Sequence, residues 1–135
     1  MKTQSIIFWL ARIVAAIILL QTLFFKFTAS AESVYIFTQV GMEPWGRIGV
    51  GVMELIASVL ILLSATVWLG SVIAIGLMVG AIGMHLTLLG IEVQGDHGQL
   101  FLYALIVLIC SLISFWKSKG QIPQPIRKYL PLFLQ

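Results

Sequence analysis

Apolar residues are grouped into four long runs along the chain, separated by short polar segments. The runs cover about residues 6–27, 46–63, 67–91 and 99–116. Each approaches the roughly 20 residues that an α-helix needs to cross about 30 Å of hydrocarbon. In a bilayer the backbone must satisfy its own hydrogen bonds, which helices do. The pattern therefore predicts an all-α fold, a transmembrane four-helix bundle.

The first polar segment predicts a further, shorter helix. Ser30 can cap its beginning and Gly41 can end it, and the residues between them include enough apolar side chains to lie at the outer membrane interface. The segment 120–135 holds three prolines and two basic residues, so a long helix is not expected there. We therefore expect a transmembrane domain at 1–119 and a basic cytoplasmic tail at 120–135.

Composition agrees with a protein surrounded by a lipid bilayer. Of 135 residues, 60% are hydrophobic and only 10% are charged. A soluble domain of this length has too small an interior to hide so much apolar surface. The net charge of +3 is spread along the chain, so we expect no nucleic-acid partner. The single cysteine, Cys110, excludes a disulfide within one chain.

The distribution of basic residues predicts the orientation of the bundle. Lys2 precedes the first run and four basic residues follow the fourth, whereas the segment 92–99 holds only acidic charges. Basic residues favour the cytoplasmic side, so both termini are expected there. We expect the first run to be retained rather than cleaved as a signal peptide, because it is long and carries Arg12 and Lys26.

Ionisable residues from several spans reach similar depths near the outer side. Lys26 lies in the last turn of the first span, and Asp96 and His97 lie just before the fourth. At 1.5 Å per residue, Glu54 is about 10 Å and His85 about 9 Å below the outer boundary. We predict that these five residues form the polar part of a ligand-binding pocket with apolar walls.

The acidic residue in the second span needs a compensating partner. A carboxylate at mid-membrane costs about 2.5–3.5 kcal/mol on insertion scales. Pairing of Glu54 with Lys26 or His85 would offset this cost. A neutral Glu54 hydrogen-bonded to His85 would do so too, because burial favours the uncharged forms. In the simpler alternatives, Lys26 only extends to the interface and His85 makes one interhelical hydrogen bond.

Arg12 shares a helical face with Lys26 and is included among the predicted binding residues. Two structural alternatives stay open for it. Its guanidinium can extend to the inner headgroups, or it can bond to a neighbouring span.

Small residues in the third span form a line along one helix face. Gly76, Gly80, Gly83 and Gly90 fall close to this line, as does Thr87. Such lines let two helices approach closely, so they are a candidate contact for a homo-oligomer.

Motifs for catalysis are missing from the sequence. It has no glycine-rich phosphate loop, no Cys/His metal cluster and no nucleophile beside a base. We therefore predict no catalytic residue, no metal ligand and no intrinsic cofactor, and we leave open whether the chain is an enzyme subunit.

Three stretches of the chain resemble the DoxX-like family of small four-span membrane proteins. They are "LARIVAAIILLQTLFFKF" with Arg12 and Lys26, "VGMEPWGRIGVGVMELIASVLILL" with Glu54, and "IGLMVGAIGMHLTLLG" with His85. The resemblance covers about residues 8–116. The chain departs from the family where Ala16 and Thr22 replace glycines common in the first span.

The resemblance implies an architecture and a set of candidate roles. The family includes quinone-linked membrane redox subunits, partners of oxidative-stress enzymes and distant assembly factors. We therefore expect a bacterial inner-membrane protein that acts as a membrane subunit or as a binder of a quinone or lipid. A proton-relay subunit with a redox partner protein and an assembly or interaction factor are the alternatives.

Overall fold

The long apolar runs form helices, as predicted. A computed structural model describes residues 2–135, and within this range the chain forms helices and no strands. Four of the helices are long and apolar enough to cross a membrane. The α-helices are α1 (Lys2–Phe27), α2 (Ala31–Gln39), α3 (Trp45–Leu62), α4 (Val67–Met84), α5 (Gln99–Ser118) and α6 (Gln124–Arg127).

The four long helices pack as a closed bundle. α1 contacts α3, α3 contacts α4, α4 contacts α5, and α5 returns to contact α1. Large apolar side chains cover much of the outer surface, as a lipid environment requires. The prediction of a transmembrane four-helix bundle is therefore confirmed. The core consists of Ala15, Leu19, Ala57, Ile61, Ala74, Met78, Ala104 and Val107.

Helices α3 and α4 approach closely near the turn that joins them. A Cβ atom on Gly70 would lie 2.6 Å from the Ile61 nitrogen and 2.9 Å from the Ala57 carbonyl oxygen. These are backbone atoms that cannot move aside easily, so only glycine fits at this position. This close contact fixes one end of the bundle.

The short helix α2 crosses the other end, here called the α2 end. The Ser30 hydroxyl accepts a hydrogen bond from the Ser33 N–H and caps the helix as predicted. Gly41 has a φ of +76°, and the Met42 N–H donates to the Phe37 carbonyl oxygen. These features define a Schellman ending, which favours glycine. α2 contacts α1, α3 and the segment after α4.

Helix α4 ends earlier than the predicted third span. Its α-helical part stops at Met84, and a π-helical turn follows over His85–Leu89. Gly90, with a φ of +80°, then reverses the chain. The apolar pattern continues through this turn, so hydropathy alone does not reveal the change in helix type.

The predicted line of glycines lies on the outside of α4. A Cβ atom on Gly76, Gly80 or Gly83 would meet no other atom of residues 2–135 within 4 Å. Helix association through this line stays a prediction. The tail 120–135 forms only α6 and short 3₁₀ turns.

Candidate functional site

A cavity of about 420 Å³ opens at the α2 end of the bundle. Side chains from α1 to α5 line it, and most of the lining is apolar. Gly76 and Gly80 line it as well, although both are exposed on the outer face of α4. The cavity therefore reaches the lipid-facing surface beside α4. Its charged and imidazole residues are Lys26, Glu32, Glu54, His85 and Asp96.

An ion pair between α1 and α3 forms the polar centre of the cavity. Lys26 Nζ lies 2.9 Å from Glu54 Oε2, and the two side chains are only 13% and 5% exposed. The Thr22 hydroxyl also lies 3.1 Å from Oε2 and 2.8 Å from the Leu19 carbonyl oxygen. The carboxylate therefore has a cation and a hydroxyl donor, which offset the cost of its burial. Of the partners considered from the sequence, the structure places Lys26 beside Glu54.

A second pair holds the backbone beside Lys26. The single Nε–H of Arg47 is shared between the two Glu43 carboxylate oxygens, at 2.9 and 3.0 Å, and Nη2 lies 2.9 Å from Oε1. Its Nη1 donates to the carbonyl oxygen of Lys26. The planar guanidinium can serve both acceptors at once because its donors diverge. Arg47 thus ties the beginning of α3 to the end of α1.

Close contact of α1 and α3 at this level depends on Gly51. A Cβ atom there would lie 3.0 Å from a ring atom of Phe27 and 3.6 Å from the Cβ of Lys26. The absence of a side chain lets the two helices come together where the ion pair forms. The glycine therefore helps to position Lys26 toward Glu54.

His85 is held at the cavity by its own loop. Its Nδ1 lies 2.7 Å from the Gly90 carbonyl oxygen, and its ring packs edge-on against Phe101 with centroids 5.6 Å apart. Because a carbonyl oxygen only accepts, Nδ1 carries the proton. The π-helical turn brings Gly90 back to the imidazole, and such turns recur at functional sites.

Two carboxylates line the cavity outside the long helices. Asp96 accepts hydrogen bonds from the backbone N–H groups of Val93, Gly98 and Leu100, which orders the turn before α5. Desolvation raises the pKa of Asp96, but these hydrogen bonds outweigh it and the pKa is lowered. For Glu32 on α2, desolvation and then the charge of Asp96 raise the pKa. Glu32 is therefore the more readily protonated of the two.

The structure does not bring Arg12 or His97 to the cavity. Arg12 lies toward the opposite end, where Nε and Nη2 donate to the Ile61 and Leu62 carbonyl oxygens at 2.8 Å each. These are the last carbonyls of α3, which lack partners within the helix. The structural alternative for Arg12, a bond to a neighbouring span, is therefore the one observed. His97 is 92% exposed, because its loop turns the imidazole outward.

The cavity offers both hydrogen-bond donors and acceptors. Only Glu54 among residues 2–135 pairs with the Lys26 ammonium, which has three donors. Glu54 Oε1 and His85 Nε2 have no hydrogen-bond partner within the same range. The described residues contain no group of three or more His, Cys, Asp or Glu placed to hold a metal ion. The arrangement suits a small molecule with an apolar body and one polar end.

Sequence reasoning missed several residues that build this site. From the sequence, Thr22 is noted only as a replacement for glycine, and no role is predicted for Arg47 or Glu32. The spacing of Glu43 and Arg47, four residues apart at the beginning of a helix, is the signal that could have indicated their pairing.

Comparison with known proteins identifies the family of the chain. The DoxX family model matches residues 7–87, which carry Lys26, Glu54 and His85. No curated protein and no solved structure gives a significant match. The matched region covers more than half of the chain and contains most of α1, all of α2 to α4 and the beginning of the π-helical turn. This four-span membrane protein therefore belongs to the DoxX family.

Proposed function

We propose that this protein binds a quinone- or lipid-like small molecule in the cavity at the α2 end, as a membrane subunit or binder. The observation that carries the proposal is a mostly apolar cavity containing the buried Lys26–Glu54 pair. Its volume of about 420 Å³ falls in the range of about 300–1,000 Å³ typical of small-molecule sites. An apolar tail would pack against the helices, and a polar head would meet the ion pair.

The position of the cavity supports entry from the membrane. Gly76 and Gly80 line it from the exposed face of α4, so no side chain from these positions separates it from surrounding lipid. An amphiphile dissolved in the bilayer could therefore enter sideways, without passing through water. This route suits a ligand that is poorly soluble in water.

A matched pair of glycine variants tests the proposal. Gly80 lines the cavity and Gly83 does not, yet a Cβ atom at either position would meet open space. Binding of decylubiquinone and of a lyso-phospholipid would be measured by native mass spectrometry on protein in nanodiscs. We expect Gly80→Phe to weaken binding at least about fivefold and Gly83→Phe to change it less than about twofold. No binding of either probe to the wild-type protein would contradict the proposal.

The role of the ion pair is tested by Glu54→Gln, which keeps the shape of the side chain. Lys26 would then lack its anionic partner, so we expect the binding of the polar head of the ligand to change. If this variant binds the probe to the same occupancy and gains the same thermal stabilisation from it, the ion pair does not take part in binding.

The second candidate is a membrane assembly or interaction factor, and the tail favours it. Tyr129, Leu132 and Phe133 are 81%, 89% and 68% exposed, close in sequence to Arg127 and Lys128. This apolar and basic surface fits either the membrane surface or a partner protein. Deletion of residues 124–135 should then remove membrane proteins that co-purify with the full chain. An unchanged set of co-purifying proteins would speak against this candidate.

Family membership and the basic residues at both ends support a location in a bacterial inner membrane with cytoplasmic termini. Self-association through Gly76, Gly80, Gly83 and Gly90 and a proton relay through Glu54 and His85 to a redox partner stay predictions. A relay subunit should co-purify with a partner that carries a reducible cofactor.

A further inference from the structure

We propose that the polar head of the bound molecule carries an uncharged hydroxyl group, an alcohol or a phenol, which donates to His85, and that the same head offers an acceptor to Lys26. This inference rests on the proposed function and specifies the chemistry of its ligand. It follows from the hydrogen-bonding capacity that the described residues leave unused at the cavity.

The first part of the argument is the fixed tautomer of His85. Nδ1 lies 2.7 Å from the Gly90 carbonyl oxygen, and a carbonyl cannot donate, so the proton of the neutral imidazole stays on Nδ1. Nε2 is then an acceptor. It has no hydrogen-bond partner within residues 2–135, although the residue is only 6% exposed and lines the cavity. Nε2 is open to the cavity rather than fully buried, so a ligand that donates to it gains a hydrogen bond among mostly apolar walls.

The second part concerns the donors of Lys26. One N–H points to Glu54 Oε2 at 2.9 Å, which leaves two N–H donors of the ammonium for other groups. The ligand head must therefore accept as well as donate. A head that carries a hydroxyl group has a donor and at least one acceptor.

The third part is charge. One cation, Lys26, and three carboxylates, Glu32, Glu54 and Asp96, line the cavity. A carboxylate or phosphate head would be repelled by these carboxylates, and an ammonium head has no acceptor for the remaining donors of Lys26. The described groups therefore favour an uncharged head. A head with carbonyl oxygens alone would satisfy Lys26 but would leave Nε2 of His85 without a donor.

A pair of probes that differ only in the donor tests this inference. 4-Nonylphenol and 4-nonylanisole share the same tail and ring, and the methyl ether lacks the O–H. Their binding to the full chain in phosphatidylcholine nanodiscs would be measured by native mass spectrometry, with concentrations expressed per lipid. Because one hydrogen bond to an acceptor in the cavity separates them, we expect the phenol to bind about tenfold more tightly.

The variant His85→Phe assigns the difference to the imidazole. It keeps a ring against Phe101 and removes the acceptor. The preference for the phenol should fall to within about twofold, while the anisole should bind about as well as to the wild type. Circular dichroism establishes that the variant is folded. If it does not fold, the comparison of the two probes on the wild-type protein decides.

The outcomes separate this inference from the function on which it rests. Equal binding of phenol and anisole to the wild type overturns the hydroxyl head and leaves the binding function standing. A preference that persists in folded His85→Phe overturns the assignment to His85. Binding of neither probe, nor of decylubiquinone or lyso-phospholipid, overturns both proposals.

Discussion

Removal of the Lys26 partner of the Lys26–Glu54 pair should destabilise the bundle more than removal of the Glu54 partner. Lys26→Met leaves Glu54 without its cation, on a side chain that is 5% exposed and anchored within α3. Glu54→Gln leaves the ammonium alone, but Lys26 lies in the last turn of α1 and is 13% exposed. The longer side chain can turn toward water. We therefore expect Lys26→Met to cost more than Glu54→Gln.

The magnitude follows from the geometry of the pair. Two unit charges about 4 Å apart attract by about 4 kcal/mol at an effective dielectric constant of about 20. The observed 2.9 Å contact is closer, but desolvation of both groups cancels much of this attraction. Removing one member of a buried pair typically costs about 3–5 kcal/mol. We expect about 3 kcal/mol for Lys26→Met, and about 1–2 kcal/mol for Glu54→Gln because Thr22 can still donate to the amide oxygen.

The assay is reversible unfolding in mixed micelles, followed by circular dichroism, for both single variants and the double variant. If the pair is coupled, the double variant should lose less stability than the sum of the single variants by about 1–3 kcal/mol. Additive losses would mean that the two groups do not interact in the membrane protein. A larger loss for Glu54→Gln than for Lys26→Met would refute the reasoning about which group can reach water.

Three other positions give independent predictions. Gly70→Ala should lower the free energy of unfolding by about 2 kcal/mol or more, because the added Cβ would collide with the backbone of α3. Gly83→Ala, where a Cβ meets open space, should change it by less than about 1 kcal/mol. Thermal unfolding of the two variants tests this contrast. Arg12→Met should cost about 2–4 kcal/mol in micelle unfolding, since two charge-assisted hydrogen bonds to the end of α3 are lost; an unchanged midpoint would contradict their importance. The pKa of Asp96 is lower in the folded state than its ordinary value of 3.8. The ionised side chain therefore stabilises the folded protein fully above pH 3.8, and this stabilisation is lost as the pH falls through the lower pKa of the folded state. Unfolding temperatures measured between about pH 2 and 6 should therefore depend less on pH in Asp96→Asn than in the wild type.

Much of the fold follows from hydropathy, because a membrane-spanning helix must satisfy its backbone within itself. The four spans and the short helix begun by Ser30 could be predicted in this way. The π-helical turn at His85–Leu89 could not. It depends on contacts of His85 with Gly90 and Phe101, which involve the loop and a different helix.

The site was predictable in depth but not in pairing. Helical rise places Lys26, Glu54 and His85 at similar levels, and all three line one cavity. Depth cannot tell which side chains meet, because that depends on helix rotation and on close contacts such as the one at Gly51. Depth alone also grouped His97 with Asp96, although adjacent loop residues point in different directions. Arg12 was included because it shares a helix face with Lys26, yet it lies toward the other end.

An experimental structure of the protein extracted together with its native membrane lipids tests the central claim most directly. We predict an elongated molecule in the cavity, with its polar end within hydrogen-bond distance of Lys26 Nζ and His85 Nε2 and its tail directed past Gly80. A Glu54 carboxylate separated from Lys26 and facing lipid, or a cavity closed by the protein's own side chains, would contradict the account.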